Sequence, residues 1–236
     1  MKLYTIGYAG KKIEEFIDIL KQNKITSIVD VRTMPLSKTF PEYNSNSIKD
    51  ILRKNGIYYL VFSNEFGARR EEQNTYISLT DFDGKNINVV DFKKVYELPI
   101  FIDGVNRVED GLKKELKIAF MCSEKNPFDC HRANMVAEYF YQKGFEIKHI
   151  IDKQNIIDHK KFDTFYEDNF FKKKLYFMKK NSEILNYKYN LFGHGNDEFP
   201  EYIVYWLKFF KYYDRNKGWI LRNIEIGYKE GMIEND

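Results

Sequence analysis

The chain has 236 residues, room for one large domain or an ordinary domain with an appendage. Its apolar share of 43% allows a sizeable buried core, while 38 basic against 35 acidic residues leave a net charge of only +3, which removes bulk electrostatics as an argument for nucleic acid. With Cys122 and Cys130 as the only cysteines, a disulfide-stapled scaffold is excluded, and no run of about 18 apolar residues could span a membrane.

Lys2 to Ile6 is a short β-prone run that stops at Gly7-Tyr8-Ala9-Gly10, with no signal-peptide character, so the expected compartment is the cytoplasm. Ile13, Phe16, Ile17 and Leu20 follow at the spacing of a helix with one apolar stripe. Ser27 to Val31 reads as a second strand, with Pro35 beyond it. Ile48, Ile51 and Leu52 mark a short helix closed by Gly56, and Ile57 to Phe62 a third strand. Residues 71–90 resist assignment and include a loop. Phe92 to Leu116 is helical in pattern, with interruptions expected at Pro99 and Gly104. Lys117 to Met121 is an apolar strand. Asp129 is placed to cap a helix carrying Met135, Val136, Tyr139 and Phe140, which Gly144 ends before a strand from Phe145 to Ile151.

Strands alternating with helices predict an α/β fold with a mainly parallel sheet and helices on both faces, over residues 1–152. Residues 153–236 are rich in Lys, Asn, Tyr and Phe, and read as a mostly helical appendage. Its lysines at 172–174 and 179–180, interleaved with aromatics, suit a solvated helix face better than a nucleic-acid surface.

Four motif groups fall directly after predicted strands: Gly7-Tyr8, Asp30-Val31-Arg32, Glu65-Phe66-Gly67-Ala68-Arg69-Arg70, and Cys122-Ser123-Glu124 with Cys130-His131-Arg132. In open parallel sheets such positions share one edge, where ligands bind. A helix beginning near Cys130 would present backbone N–H groups to an anion, Arg132 would add a bidentate clamp, and a thiol at the first helical turn would be acidified. His131 could move a proton near neutral pH. Each has a plainer alternative. Asp30 and Arg32 lie two apart on a strand and could be a buried ion pair, Glu124 could pair with Arg132, and Cys122 could be a small core side chain. His149 reads as structural, and His159 has no evident acidic partner in sequence. Zinc on Cys122, Cys130 and His131 matches no common ligand spacing and lacks an evident fourth ligand, so no metal or other cofactor is expected. The G-x-G-x-x-G and Walker patterns are absent.

The stretch Tyr4-Thr5-Ile6-Gly7-Tyr8, then Val29-Asp30-Val31-Arg32 with Pro35 and Ser37, resembles the family called domain of unknown function 488. Glu65 to Arg70 is similar to that family's Leu-Gly-Gly-Arg-Arg segment, and Met121 to Glu124 with Pro127 and Cys130-His131-Arg132 matches its most distinctive signature. The resemblance covers about residues 3–151. Tyr8-Ala9 stands where the family usually has His-Ser, and Ala68 where it often has Gly. It implies a fold and a site (Gly7, Tyr8, Arg32, Ser37, Glu65, Gly67, Arg69, Cys122 and Arg132 among its residues) but no reaction.

Together these features lead to the expectation of an enzyme acting on a phosphorylated or nucleotide-like ligand, free or as a unit of nucleic acid. Arg32, Arg69 and Arg132 would hold the anion. Glu124 or Asp30 would serve as general acid/base at a glycosidic or phosphoryl centre, with Cys130 as covalent nucleophile the third option. The alternative is a non-catalytic nucleotide- or nucleic-acid-binding module. No membrane partner is expected, and the oligomeric state stays open.

Overall fold

The computed structural model describes residues 1–80, 86–127 and 130–161. The expected C-terminal appendage therefore lies almost entirely outside the described residues, as do the lysine clusters and Asp129.

The main sheet has six strands: β1 (Lys2–Gly7), β2 (Ser27–Asp30), β3 (Tyr58–Val61), β6 (Ile118–Cys122), β7 (Glu146–Ile150) and β8 (Ile156–Asp158). Their order is β3-β2-β6-β1-β7-β8, and all neighbours are parallel except β8, which pairs antiparallel with β7. The short β8 was not foreseen. A separate antiparallel ribbon joins β4 (Tyr76–Thr80) to β5 (Asn86–Val90), within the stretch whose pattern could not be assigned.

Each face of the sheet carries its own core, because alternate strand residues point to opposite sides. On one face, Tyr4, Ile6, Ile28, Ala119 and Met121 meet Phe16, Ile17, Ile19 and Leu20 of α1 (Ile13–Gln22) and Ile48 and Leu52 of α2 (Ser45–Lys54). On the other, Leu3, Val29, Ile118, Phe120 and Ile147 meet Phe66 of α3 (Ser63–Phe66), and Phe92 and Val95 of α4 (Phe92–Tyr96). The same core takes in Phe101, Val105 and Val108 of α5 (Pro99–Lys113) and the segment around Met135 to Phe140. Helices thus cover both faces. Among the described residues, no helix is long and apolar enough to cross a membrane.

Pro99 does not interrupt α5 but opens it, where a missing N–H costs nothing. Gly104 does not interrupt it either. A Cβ there would come within 2.7 Å of Glu65 Cβ and 2.9 Å of the Phe66 ring, so the absent side chain lets α5 lie against α3.

The helix expected after Cys130 is irregular. His131 begins it, residues Arg132–Ala137 form a π-helix, and α6 (Glu138–Gln142) completes it. Widened turns of this kind are frequent at functional sites. Under them runs a buried polar chain. Thr5 Oγ1 lies 2.8 Å from His149 Nδ1, His149 Nε2 lies 2.7 Å from His159 Nδ1, and His159 Nε2 lies 2.9 Å from Glu138 Oε2. His149 lies on β7, as expected, and is buried within this chain. His159 does have an acidic partner, one that sequence distance concealed.

Candidate functional site

The chain runs from β1 through α1 to β2 on one face, and from β6 through the π-helical segment to β7 on the other. The carboxyl ends of adjacent β1 and β6 are therefore where the two windings diverge, the position at which open α/β sheets form a crevice. Gly7 and Cys122 are register partners there, and the loops continue side by side: Tyr8 N–H donates to Cys122 O at 3.1 Å and Ala9 N–H to Ser123 O at 2.9 Å. A Cβ on Gly7 would overlap the carbonyl of Glu124, so only glycine permits this approach.

Four side chains converge at this edge. The Cys122 and Cys130 thiols each donate to Glu124 Oε2, at 2.9 and 3.0 Å. Both cysteines are free and buried. The two sulfurs and a ring nitrogen of His131 lie within 4.8 Å of one another, with Cys122 Sγ 3.9 Å from His131 Nδ1. Cys130, whose N–H donates to Pro127 O at 3.1 Å, thus lies against the end of β6 beside Cys122. The other imidazole nitrogen, His131 Nε2, lies 2.8 Å from Val31 O.

These contacts polarise the cluster. Burial pushes the Cys130 thiol up, but its hydrogen bond with Cys122, the charge of Arg132 and its contact with His131 outweigh that and bring it down to about 5. Cys122 moves the opposite way, raised by burial and by Cys130 and Glu124. Burial also opposes ionisation of Glu124, yet the two thiol donors hold it down at about 2. Burial would lower His131, whereas Cys130, the Val31 carbonyl and Glu124 together raise it. A carboxyl held so low would be a poor general acid.

The arginines are held by the protein itself. Arg32 Nε donates to both Asp30 oxygens at 2.9 and 3.0 Å, and its remaining nitrogens reach Tyr8 OH at 3.2 Å and Tyr43 O at 2.8 Å. Tyr59 OH donates to Asp30 at 2.6 Å, and Tyr8 stacks on Tyr43 with ring centroids 4.2 Å apart. The ion-pair alternative is the one found for Asp30 and Arg32. Arg132 is fully buried and donates to Glu124 O at 2.7 Å and Lys125 O at 3.2 Å, so it clasps the loop through its backbone rather than through the Glu124 carboxylate.

The remaining expected residues lie further out. Glu65 pairs with Arg107, whose guanidinium covers the Phe62 ring. Gly67 packs on Thr33, and exposed Arg69 is tied to the same residue by its N–H, 3.1 Å from Thr33 Oγ1. Ser37 shapes the preceding loop by accepting from Phe40 N–H at 3.0 Å.

One residue had no signal in the sequence. Lys11 folds back through the turn at Gly10, which has φ 78°, and donates from Nζ to Gly7 O at 2.9 Å. Burial and the charge of Arg132 lower its pKa. A lysine just before an amphipathic helix ordinarily reads as surface.

The family described as Domain of unknown function DUF488 matches residues 12–140, more than half of the chain, and the chain belongs to it. No curated protein and no solved structure matches.

Proposed function

We propose that this member of the DUF488 family is an enzyme that carries out hydrolysis or transfer on a phosphorylated or nucleotide-like ligand, with Cys130 as nucleophile and His131 as proton carrier. The observation that carries this reading is the convergence of Cys122, Glu124, Cys130 and His131 at the carboxyl edge between β1 and β6. A sulfur in contact with an imidazole that a third group orients, here Val31 O, is the arrangement of an activated nucleophile. In the reaction, the Cys130 sulfur attacks the phosphoryl or glycosidic centre, and the leaving oxygen, or the base nitrogen of a nucleotide, departs with a proton from His131. Water or an acceptor hydroxyl then returns that proton to His131 as it takes the group off the sulfur.

An anionic substrate is favoured by the cations around the cluster. Arg132 is buried beside it, Lys11 is buried with its Nζ on Gly7 O, and Lys125 is exposed on the loop that Arg132 clasps, whereas exposed Arg69 lies further out, beyond α3 and bonded through its N–H to Thr33. The anion contact is therefore assigned to Lys125, since Arg32 and Arg132 are already engaged and Arg69 lies further out.

The test is a turnover screen of phosphate monoesters, nucleotides and single-stranded oligonucleotides, run on the full chain and on Cys130→Ser. Release of phosphate or base by the wild type, lost in Cys130→Ser, is expected. Turnover that survives the substitution would overturn the nucleophile assignment, and saturable binding without turnover would make the site a binding module.

A further inference from the structure

We propose that Cys122, Glu124, Cys130 and His131 together form a binding site for a borderline-soft divalent metal ion, zinc above all. The ligand spacing in sequence argues against this, but it counts only three donors. The fold supplies the fourth, by placing the Glu124 carboxylate between the two sulfurs at 2.9 and 3.0 Å. In a tetrahedral zinc site, bond lengths of about 2.3 Å to sulfur and 2.0–2.1 Å to nitrogen or oxygen set neighbouring donors about 3.5 Å apart. The two sulfur–oxygen contacts fall just below that separation and the 3.9 Å from Cys122 Sγ to His131 Nδ1 just above it. The two sulfurs and the imidazole nitrogen all lie within 4.8 Å of one another, and the Glu124 carboxylate touches both sulfurs.

The orientation of His131 is a second, independent observation. Its Nε2 faces the Val31 carbonyl at 2.8 Å, an acceptor only, so that nitrogen carries the proton. In the neutral ring, Nδ1 then presents its lone pair toward the sulfurs. Metal-bound histidines are held in this way, with the far N–H given to a backbone carbonyl or carboxylate.

The charges also balance. Two thiolates and a carboxylate around a divalent ion leave one net negative charge, and any thiol still protonated releases its proton to water on binding. Facing that charge is the buried Arg132, whose Nε finds no acceptor among the described residues. Two sulfurs and an imidazole select against magnesium and calcium, which take oxygen ligands. Glu124 is the one ligand of the four that is only partly buried.

This inference goes beyond the thiol chemistry above. With metal bound, the Cys130 sulfur is a ligand, and the metal-free protein is the form in which it is a nucleophile. The test uses the full chain, reduced and stripped with a chelator, then titrated with Co²⁺. One Co²⁺ per chain is expected, with an intense sulfur-to-cobalt charge-transfer band and the visible bands of a tetrahedral ion, both bleached by Zn²⁺. Cys122→Ser and His131→Ala should each weaken Co²⁺ binding at least about tenfold. A weak octahedral cobalt spectrum without a sulfur band would overturn the proposal, as would undiminished binding by folded Cys122→Ser. Should the variants fail to fold, the wild-type spectrum alone decides. Because the readout needs no substrate, its failure leaves the turnover screen standing, and failure of that screen leaves the metal result standing.

Discussion

His131 and Val31 lie far apart in the chain, yet His131 Nε2 sits 2.8 Å from the Val31 carbonyl oxygen. That contact joins the end of β2 to the helix start after β6, and it decides which imidazole nitrogen faces the two cysteines. Everything proposed for the cluster depends on this orientation.

The first prediction concerns the thiol itself. In metal-free protein, alkylation of Cys130 by iodoacetamide, read by peptide mass spectrometry, should follow a titration with its midpoint near 5. Cys122, raised by burial, should stay unmodified across the same range. A Cys130 midpoint in the ordinary thiol range near about 8.5 would remove the electrostatic part of the argument.

Arg132 is one source of that acidity. Arg132→Gln keeps a hydrogen-bonding side chain but deletes the charge, and the Cys130 midpoint should move upward. The variant also loses part of the clasp on Glu124 O and Lys125 O, so stability should fall by about 1.5–3 kcal/mol in urea denaturation. An unchanged midpoint in a folded variant would show that Arg132 acts only on the loop.

Gly7→Ala should destabilise the domain by about 1–3 kcal/mol, because the added methyl overlaps the Glu124 carbonyl and must push the two loops apart. Any metal site should loosen with it, since Glu124 moves. A melting temperature equal to that of the wild type would mean that the loops part freely, and the close approach would then carry no structural weight.

The buried Asp30–Arg32 pair should behave as a unit. Arg32→Met alone leaves a carboxylate in the interior and should cost about 3–5 kcal/mol, while the double variant Asp30→Asn with Arg32→Met should cost clearly less than the sum of the two single changes. Additive losses would mean that the two side chains contribute independently.

Lys11 provides a pH test with a definite sign. Its folded pKa lies below the ordinary 10.5, so between the two values the unfolded chain binds more protons than the folded one. Stability from this residue should therefore rise with pH in the window below 10.5, and Lys11→Met should flatten that part of the profile. Parallel profiles for wild type and variant would place the lysine in solvent.

Much of the scaffold was legible from periodicity. The stripe of Ile13, Phe16, Ile17 and Leu20, the runs of Ser27 to Val31 and Lys117 to Met121, and the glycines at 56 and 144 each reflect a local rule, and each element formed where that rule put it. The β4–β5 ribbon escaped although Ile77-Ser78-Leu79-Thr80 and Asn86-Ile87-Asn88-Val89 alternate, because each run is only about five residues long, and Gly104 was misread because a glycine that breaks a helix and one that admits a neighbour are identical in sequence. Placing four motif groups at one sheet edge also followed from topology, since parallel strands with crossovers deliver their loops to the same side.

What periodicity could not supply was the partner of each charged or reactive group. The sequence by itself determined the layered α/β scaffold and which residue types would stand at its carboxyl edge, because helix and strand patterns are short-range and repeat. Only the tertiary structure decided that Arg32 is spent on Asp30 and Arg132 on two carbonyls, that Glu124 lies between two sulfurs, and that Val31 orients His131. Those pairings span up to 100 residues and depend on ångström-scale distances in a water-poor edge, where a shift of that size decides whether an arginine meets a ligand or its own backbone.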